Sequence, residues 1–290
     1  MTTPPPNSPA PLLAGAKVEV YKTIGDVNLS LYIFTPPGHT PDDKRPAIVF
    51  FFGGGWNTGS PQQFEHQCEY FASRGMVAIT ADYRVASRQQ VKPVQCVADA
   101  ISAIRWVRAN ANRLGVDSDR IAAGGGSAGG HLAACTGTIP QLDEDGEDSG
   151  ISSVPNARVL FNPALVLAPV GGREVMKTSA FPLTAEHFGV DLETISPCHN
   201  VRAGAPPTII FHGTADTIVP YATAEAFAAA MQNAGNRCEL VSFEGQEHRF
   251  FNFGHDQNTF FVATLRKADQ FLASLGWLKG APTIEEFIKD

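Results

Sequence analysis

The sequence predicts an α/β fold: one mostly parallel central sheet, helices on both faces, and a small lid-like insertion. Three observations carry this. Short apolar runs alternate with helical stretches along the chain. The run Ala47-Ile48-Val49-Phe50-Phe51-Phe52 has no polar break, as expected of a strand covered on both faces. Glycine-rich turns and chemically capable residues follow directly on strand ends, the rim where such sheets bind ligands.

In chain order, Lys17–Lys22 and Asn28–Phe34 alternate polar and apolar residues and read as an antiparallel pair at a sheet edge. Pro36-Pro37-Gly38 ends the second. The central strand 47–52 runs straight into Gly53-Gly54-Gly55-Trp56. Ser60-Pro61 supplies an N-cap and an N1 proline for a helix reaching about Arg74-Gly75. Met76–Thr80 is a strand, followed by Asp82-Tyr83-Arg84. A long helix covers about Val94 to Leu114 and stops at Gly115. Arg120–Ala123 is a strand leading into Gly124-Gly125-Gly126-Ser127-Ala128-Gly129-Gly130 and a further helix. Residues 141–150, rich in Asp, Glu and Gly, read as a solvated loop, and Arg158–Phe161 as a strand. From Pro169 to Ala205 no clean period holds, which marks the insertion over the site. Pro207–Gly213 is a buried strand whose loop carries Asp216. Tyr221–Asn233 is a helix ended by Gly235. Glu239–Phe243 is the last strand, its loop carrying His248, and a helix spans about Gln257 to Leu275. No repeat or linker divides the chain, so one domain is expected over 15–290 behind a flexible Pro-rich tail, 1–14.

The 290 residues suffice for a large core, and 43% hydrophobic with 18% charged residues suits a globular enzyme. A net charge of −7 without any basic run argues against a nucleic-acid partner. No stretch approaches the ~20 apolar residues of a membrane span. Five scattered cysteines with no CxxC pair suggest buried thiols and no metal site, with one disulfide left open. Residues 1–14 lack a basic n-region and an apolar core, so they do not read as a signal peptide. A cytoplasmic location suits the chain as written; a leader trimmed from it would make it secreted or periplasmic. Compartment and oligomeric state are not readable.

The chemistry centres on Gly125-Gly126-Ser127-Ala128-Gly129, which fits the G-x-S-x-G elbow: a strand-to-helix turn that lifts a serine Oγ out of the sheet. The rivals are a phosphate loop and a plain glycine turn, but the run has no Walker lysine and is not G-x-G-x-x-G with its acidic partner. A serine needs a base. Of the eight histidines, His248 lies on a loop after a strand. His255 is the runner-up, His212 reads as packed in its strand, and His131 as structural. The acid should fall between serine and histidine, where Asp216 fits on the loop after a buried strand; Asp191 and Glu193 lie in the irregular insertion and are weaker rivals, and a turn or cap role is the bland alternative for Asp216. Gly53–Gly55 offer backbone N–H groups. Of these Gly54 is the first choice, with Gly55 beside it, to act together with Ala128 at a helix N-terminus as donors to an oxyanion. Trp56 is the leading wall of a substrate pocket, with Phe52, Tyr83, Phe250 and Phe251 behind it, although core packing would equally account for each. A Trp beside the glycines and a short insertion suggest a small acyl group, acetyl first.

The chain resembles the α/β-hydrolase esterases, in the group of hormone-sensitive-lipase-like carboxylesterases and the acetyl and feruloyl esterases of plant cell-wall polysaccharides. The resemblance rests on Gly53-Gly54-Gly55-Trp56, Asp82-Tyr83-Arg84, Ala103-Ile104-Arg105-Trp106-Val107, Gly126-Ser127-Ala128-Gly129-Gly130-His131, Phe211-His212-Gly213-Thr214-Ala215-Asp216-Thr217-Ile218-Val219-Pro220 and the His248 loop, roughly residues 45 to 255. Phe52 stands where lipase-like members usually carry His, Gly126 where they usually carry Asp, and their long N-terminal cap is missing. These departures point toward the acetyl and feruloyl esterases. The resemblance implies a Ser127–His248–Asp216 triad, hydrolysis of a small-molecule or carbohydrate ester through an acyl-enzyme, and no cofactor, metal, nucleic-acid or membrane partner. The alternatives are a peptidase or formamidase on the same fold, and a non-catalytic binding protein.

Overall fold

The computed structural model describes residues 12–289 except 140, 141, 143 and 145. Among them, eight strands form one sheet: β1 (Lys17–Ile24), β2 (Val27–Phe34), β3 (Arg45–Phe51), β4 (Val77–Ala81), β5 (Val116–Gly126), β6 (Ala157–Phe161), β7 (Thr208–Gly213) and β8 (Cys238–Phe243). Their spatial order is β1-β2-β4-β3-β5-β6-β7-β8. β2 runs antiparallel to β1 and β4, and every pairing from β4 through β8 is parallel. This is the α/β-hydrolase fold. The unbroken apolar run of the sequence is β3, inside the sheet between β4 and β5, with Ala47 to Phe52 all at 0% exposure. That burial needs cover on both faces, which the helices supply. They are α1 (Glu65–Ser73), α2 (Ala86–Gln89), α3 (Pro93–Ala109), α4 (Ala128–Thr136), α5 (Ala185–Phe188), α6 (Tyr221–Asn233), α7 (Thr259–Ser274) and α8 (Ile284–Phe287).

Parallel pairing places the carboxyl ends of β3, β5, β6, β7 and β8 on one rim. The loops leaving them carry Gly53, Ser127, Asn162, Asp216 and His248.

Three details differ from the sequence reading. The long helix stops at Ala109, before Leu114, because Asn110 takes over its end: Asn110 Nδ2 donates to the Trp106 carbonyl at 2.9 Å. The acidic loop is not simply solvated. Glu144 pairs with Arg84 at 2.6 Å and Lys22 at 3.0 Å, and Glu147 pairs with Arg105. Arg84 and Lys22 also share Asp99 (0% exposed), at 2.7 and 2.8 Å. The expected tail lies outside the described residues except for its end, where Leu13 is already buried. All five cysteines are buried thiols. Among the described residues no helix is long and apolar enough to cross a membrane.

Candidate active site

Ser127 follows β5 directly and is the N-cap of α4, with φ +54° and ψ −119°, a backbone conformation that costs a β-carbon residue about 1–3 kcal/mol. The surroundings enforce it. Ser127 N–H donates to the Phe161 carbonyl at 2.9 Å, and its own carbonyl accepts from His131 at 3.0 Å and Ala164 at 3.3 Å. The flanking glycines let α4 cross the sheet at contact distance. A β-carbon on Gly129 would sit 2.0 Å from the Phe51 carbonyl oxygen, and one on Gly125 would sit 2.5 Å from the Gly129 backbone. Ser127 itself is half-buried amid fully buried neighbours, so its Oγ reaches the rim.

The structure brings Ser127, His248 and Asp216 together. Ser127 Oγ lies 2.8 Å from His248 Nε2, and His248 Nδ1 lies 2.6 Å from Asp216 Oδ2. Nδ1 facing a carboxylate must carry the proton, which leaves Nε2 to accept from the serine hydroxyl. Asp216 is 6% exposed and held from both sides. Ile218 and Val219 N–H groups donate to Oδ1 at 2.9 Å each. Asn162 Nδ2 donates to Oδ2 at 2.7 Å. His212 Nε2 donates to the Val219 carbonyl at 2.8 Å and lies 3.3 Å from Oδ2. Burial pushes the Asp216 carboxyl up, but the bonds from His212, His248 and the Val219 backbone outweigh it and hold it well below the usual carboxylate range. Asp216 is therefore an anion fitted to orient His248 and to stabilise its protonated form.

On the opposite side, Gly53–Gly55 turn above the serine. A β-carbon on Gly53 would come 3.3 Å from Ser127 Cβ. Gly54 has φ +135°, and a β-carbon there would collide with the Thr58 carbonyl at 2.2 Å. The Gly53 N–H is occupied: it donates to Gln63 Oε1 at 2.6 Å. The N–H groups of Gly54 and Gly55, next in the loop, donate to no acceptor among the described residues. Ala128 is the first residue of α4, where N–H groups have no intrahelical acceptor.

The five aromatic residues expected around a substrate pocket divide. Phe52 and Tyr83 are fully buried and stack on each other at 4.1 Å, and Tyr83 Oη donates to the Phe52 carbonyl at 2.7 Å. They brace the base of the glycine loop from beneath and do not form a pocket wall. Phe250 is core as well, packed against Phe243, Phe251 and Phe260. Phe251 sits beneath the elbow, its ring where a Gly126 β-carbon would fall. Trp56 differs. Although only 1% exposed, it borders a cavity of about 470 Å³ with Gly55, Lys92, Pro182, Glu186 and His187 among the other walls; Ser127 and His248 are not among them. Its ring is clamped edge-on by His131, Phe181 and Phe188, so the 169–205 segment packs directly on the residue after the glycines.

His131 is structural, as its position on the elbow helix suggests. It is fully buried, accepts from Trp56 Nε1 at 3.2 Å through Nδ1, and donates from Nε2 to the Ile195 carbonyl at 2.7 Å. Burial lowers its pKa to about 4 against a smaller upward pull from the Ile195 bond. His255 is exposed beside Asp256, and Asp191 and Glu193 are exposed in the insertion. Sequence reasoning missed Asn162, although it follows β6 on the same rim and that position was a readable signal. It also missed Gln63, for which no local signal exists.

Comparison with known proteins identifies the family and the fold. The family model described as BD-FAE matches residues 31–231. Thermogutta terrifontis esterase 2 phosphonylated by sarin is 55% identical, with a TM-score of 0.90, over 93% of this chain and 98% of that one. The same esterase with butyrate bound is 55% identical, with a TM-score of 0.88 and the same coverage. Esterase LipC of Mycobacterium tuberculosis is 29% identical over 72% of this chain and 54% of its own length. The chain spans about half the length of the curated relatives it matches.

Proposed function

The chain belongs to the BD-FAE family of α/β-hydrolase serine esterases, and from that premise we propose that it hydrolyses short-chain carboxylic esters, acetyl or feruloyl groups on carbohydrate foremost. The observation that carries the proposal is the unbroken hydrogen-bonded chain from Ser127 through His248 to Asp216. His248 Nε2 takes the serine proton as Oγ attacks the ester carbonyl. The carbonyl oxygen becomes an anion held by the N–H groups of Ala128 and Gly54, with Gly55 adjacent; one such donor is worth about 10²–10³ in turnover. His248 returns the proton to the leaving alcohol. Water, activated by the same imidazole, then releases the acid and restores Ser127. Asp216, kept ionised, stabilises the imidazolium at each step.

The preference for small acyl groups draws support from Trp56, which stands directly after the glycine loop under Phe181 and Phe188 of the 169–205 segment, and from the butyrate bound by the Thermogutta esterase. In this reading the 169–205 segment is the cap that closes the cavity. The test is a set of initial rates on p-nitrophenyl acetate, butyrate and octanoate, with methyl ferulate and acetylated xylan alongside. Rates falling steeply with chain length, with acetate or ferulate released from the natural esters, are expected. Preference for octanoate overturns the small-acyl assignment, activity confined to acyl amides points to a peptidase or formamidase, and no turnover leaves a binding protein.

A further inference from the structure

The glycine loop and the His248 loop approach each other from distant parts of the chain, and the side chain of Gln63 joins them. Gln63 lies in a short 3-10 turn, Pro61–Phe64, ten residues beyond Gly53. Its Oε1 accepts the Gly53 N–H at 2.6 Å, and its Nε2 donates to Asn252 Oδ1 at 3.0 Å. Asn252 is four residues after His248 and is fastened to that loop: its Nδ2 and its backbone N–H both donate to the Arg249 carbonyl, at 3.2 Å each. Gln63 and Asn252 are half-buried, so the bridge is partly shielded from competing water.

We propose that Gln63 is a positioning residue: its carboxamide ties the oxyanion loop to the loop of the base and fixes the separation between Gly54 N–H and His248 Nε2. This rests on the function proposed above. Both groups must act on one carbonyl, the donors on its oxygen and the imidazole on the serine attacking its carbon. No backbone hydrogen bond joins the two loops among the described residues, so their register depends on side chains. The amide also settles which N–H groups face the oxyanion. By occupying Gly53 N–H it holds that donor away from Ser127 and turns the following peptides toward the serine. A carboxamide suits the task because one acceptor and one donor are needed at opposite ends of one planar group.

The experiment uses Gln63→Met, which keeps length and removes both bonds, Asn252→Leu, which cuts the bridge from the other loop, and the double variant. The readouts are kcat and KM on p-nitrophenyl acetate, affinity for an alkylboronic acid as an oxyanion mimic, and thermal midpoint. Expected for Gln63→Met is a loss of kcat of about 10- to 100-fold, the scale of a misplacement below 1 Å, with KM within about 2-fold and boronate affinity falling alongside kcat. Asn252→Leu should reproduce part of that loss, and the double variant should be no slower than Gln63→Met, since both cut the same link. A kcat unchanged in Gln63→Met, additive losses in the double variant, or a fall in thermal midpoint with kcat intact overturns the inference. Asn252→Leu leaves Gln63 in place and so decides the matter even where Gln63→Met folds poorly. A wild-type chain that turns over no ester and forms no serine adduct overturns the proposed function and this inference with it; an active wild type with unaffected variants overturns this inference alone.

Discussion

Asp216→Asn probes the hydrogen-bond logic of the site with a change of one atom. The Ile218 and Val219 N–H groups donate to Oδ1 at 2.9 Å each, and neither can turn away. They require an oxygen at that place, so the new amide nitrogen must occupy the Oδ2 position. There Asn162 and His248 both donate, at 2.7 and 2.6 Å. Three donors cannot share one position. His248 keeps a bond only by presenting its Nδ1 lone pair, which moves its proton to Nε2. That nitrogen then cannot accept from Ser127. A wrong tautomer in a Ser-His-Asp site costs about 10⁴ in kcat, equivalent to about 5 kcal/mol of barrier. Steady-state rates on p-nitrophenyl acetate, with circular dichroism to confirm folding, read this directly, and KM should stay within a few-fold. A folded Asp216→Asn protein retaining kcat within 10-fold of wild type would refute the tautomer argument.

Other expectations concern the frame around the site. His131 has a pKa near 4 when folded against an ordinary 6.5, so the unfolded chain binds the extra proton; its contribution is complete above pH ~6.5 and lost as pH falls through 4, about 3 kcal/mol in all. Urea unfolding between pH 4 and 7.5 should show that slope, and His131→Leu should flatten it. Gly129→Ala places a β-carbon 2.0 Å from the Phe51 carbonyl and should cost about 3 kcal/mol or more. Gly235→Ala, with open space at φ +77°, should cost only about 1 kcal/mol in the same thermal melts. Asp99→Asn leaves Arg84 and Lys22 without their buried counter-ion and should destabilise by about 3–5 kcal/mol in denaturant titration.

Much of this was legible in the chain. Strand order along the sequence, the apolar run of β3 and the two glycine clusters are local signals, and each strand end on the rim could be read from its own neighbourhood. Chain order together with placement just after strand ends selected Ser127, Asp216 and His248, the three residues that the structure joins. What was not legible depends on pairs far apart in sequence. Phe52 and Tyr83 look like pocket aromatics because they flank the glycine loop and a strand end. Only their mutual stacking, and the bond from Tyr83 to the Phe52 carbonyl, reveal a brace. The acidic loop reads as solvated by composition, yet Glu144 answers buried cations on β1 and after β4. Gln63 and Asn252 are 189 residues apart, and no period or motif connects them.

Each step of the proposed reaction depends on Ser127 as the nucleophile. The decisive measurement is intact-mass spectrometry after treatment with a fluorophosphonate, followed by peptide mapping. Expected is one adduct per chain, located on Ser127, with none on Ser127→Ala and that variant without esterase turnover. An adduct on another residue, or a Ser127→Ala protein that still hydrolyses p-nitrophenyl acetate at the wild-type rate, would contradict that role.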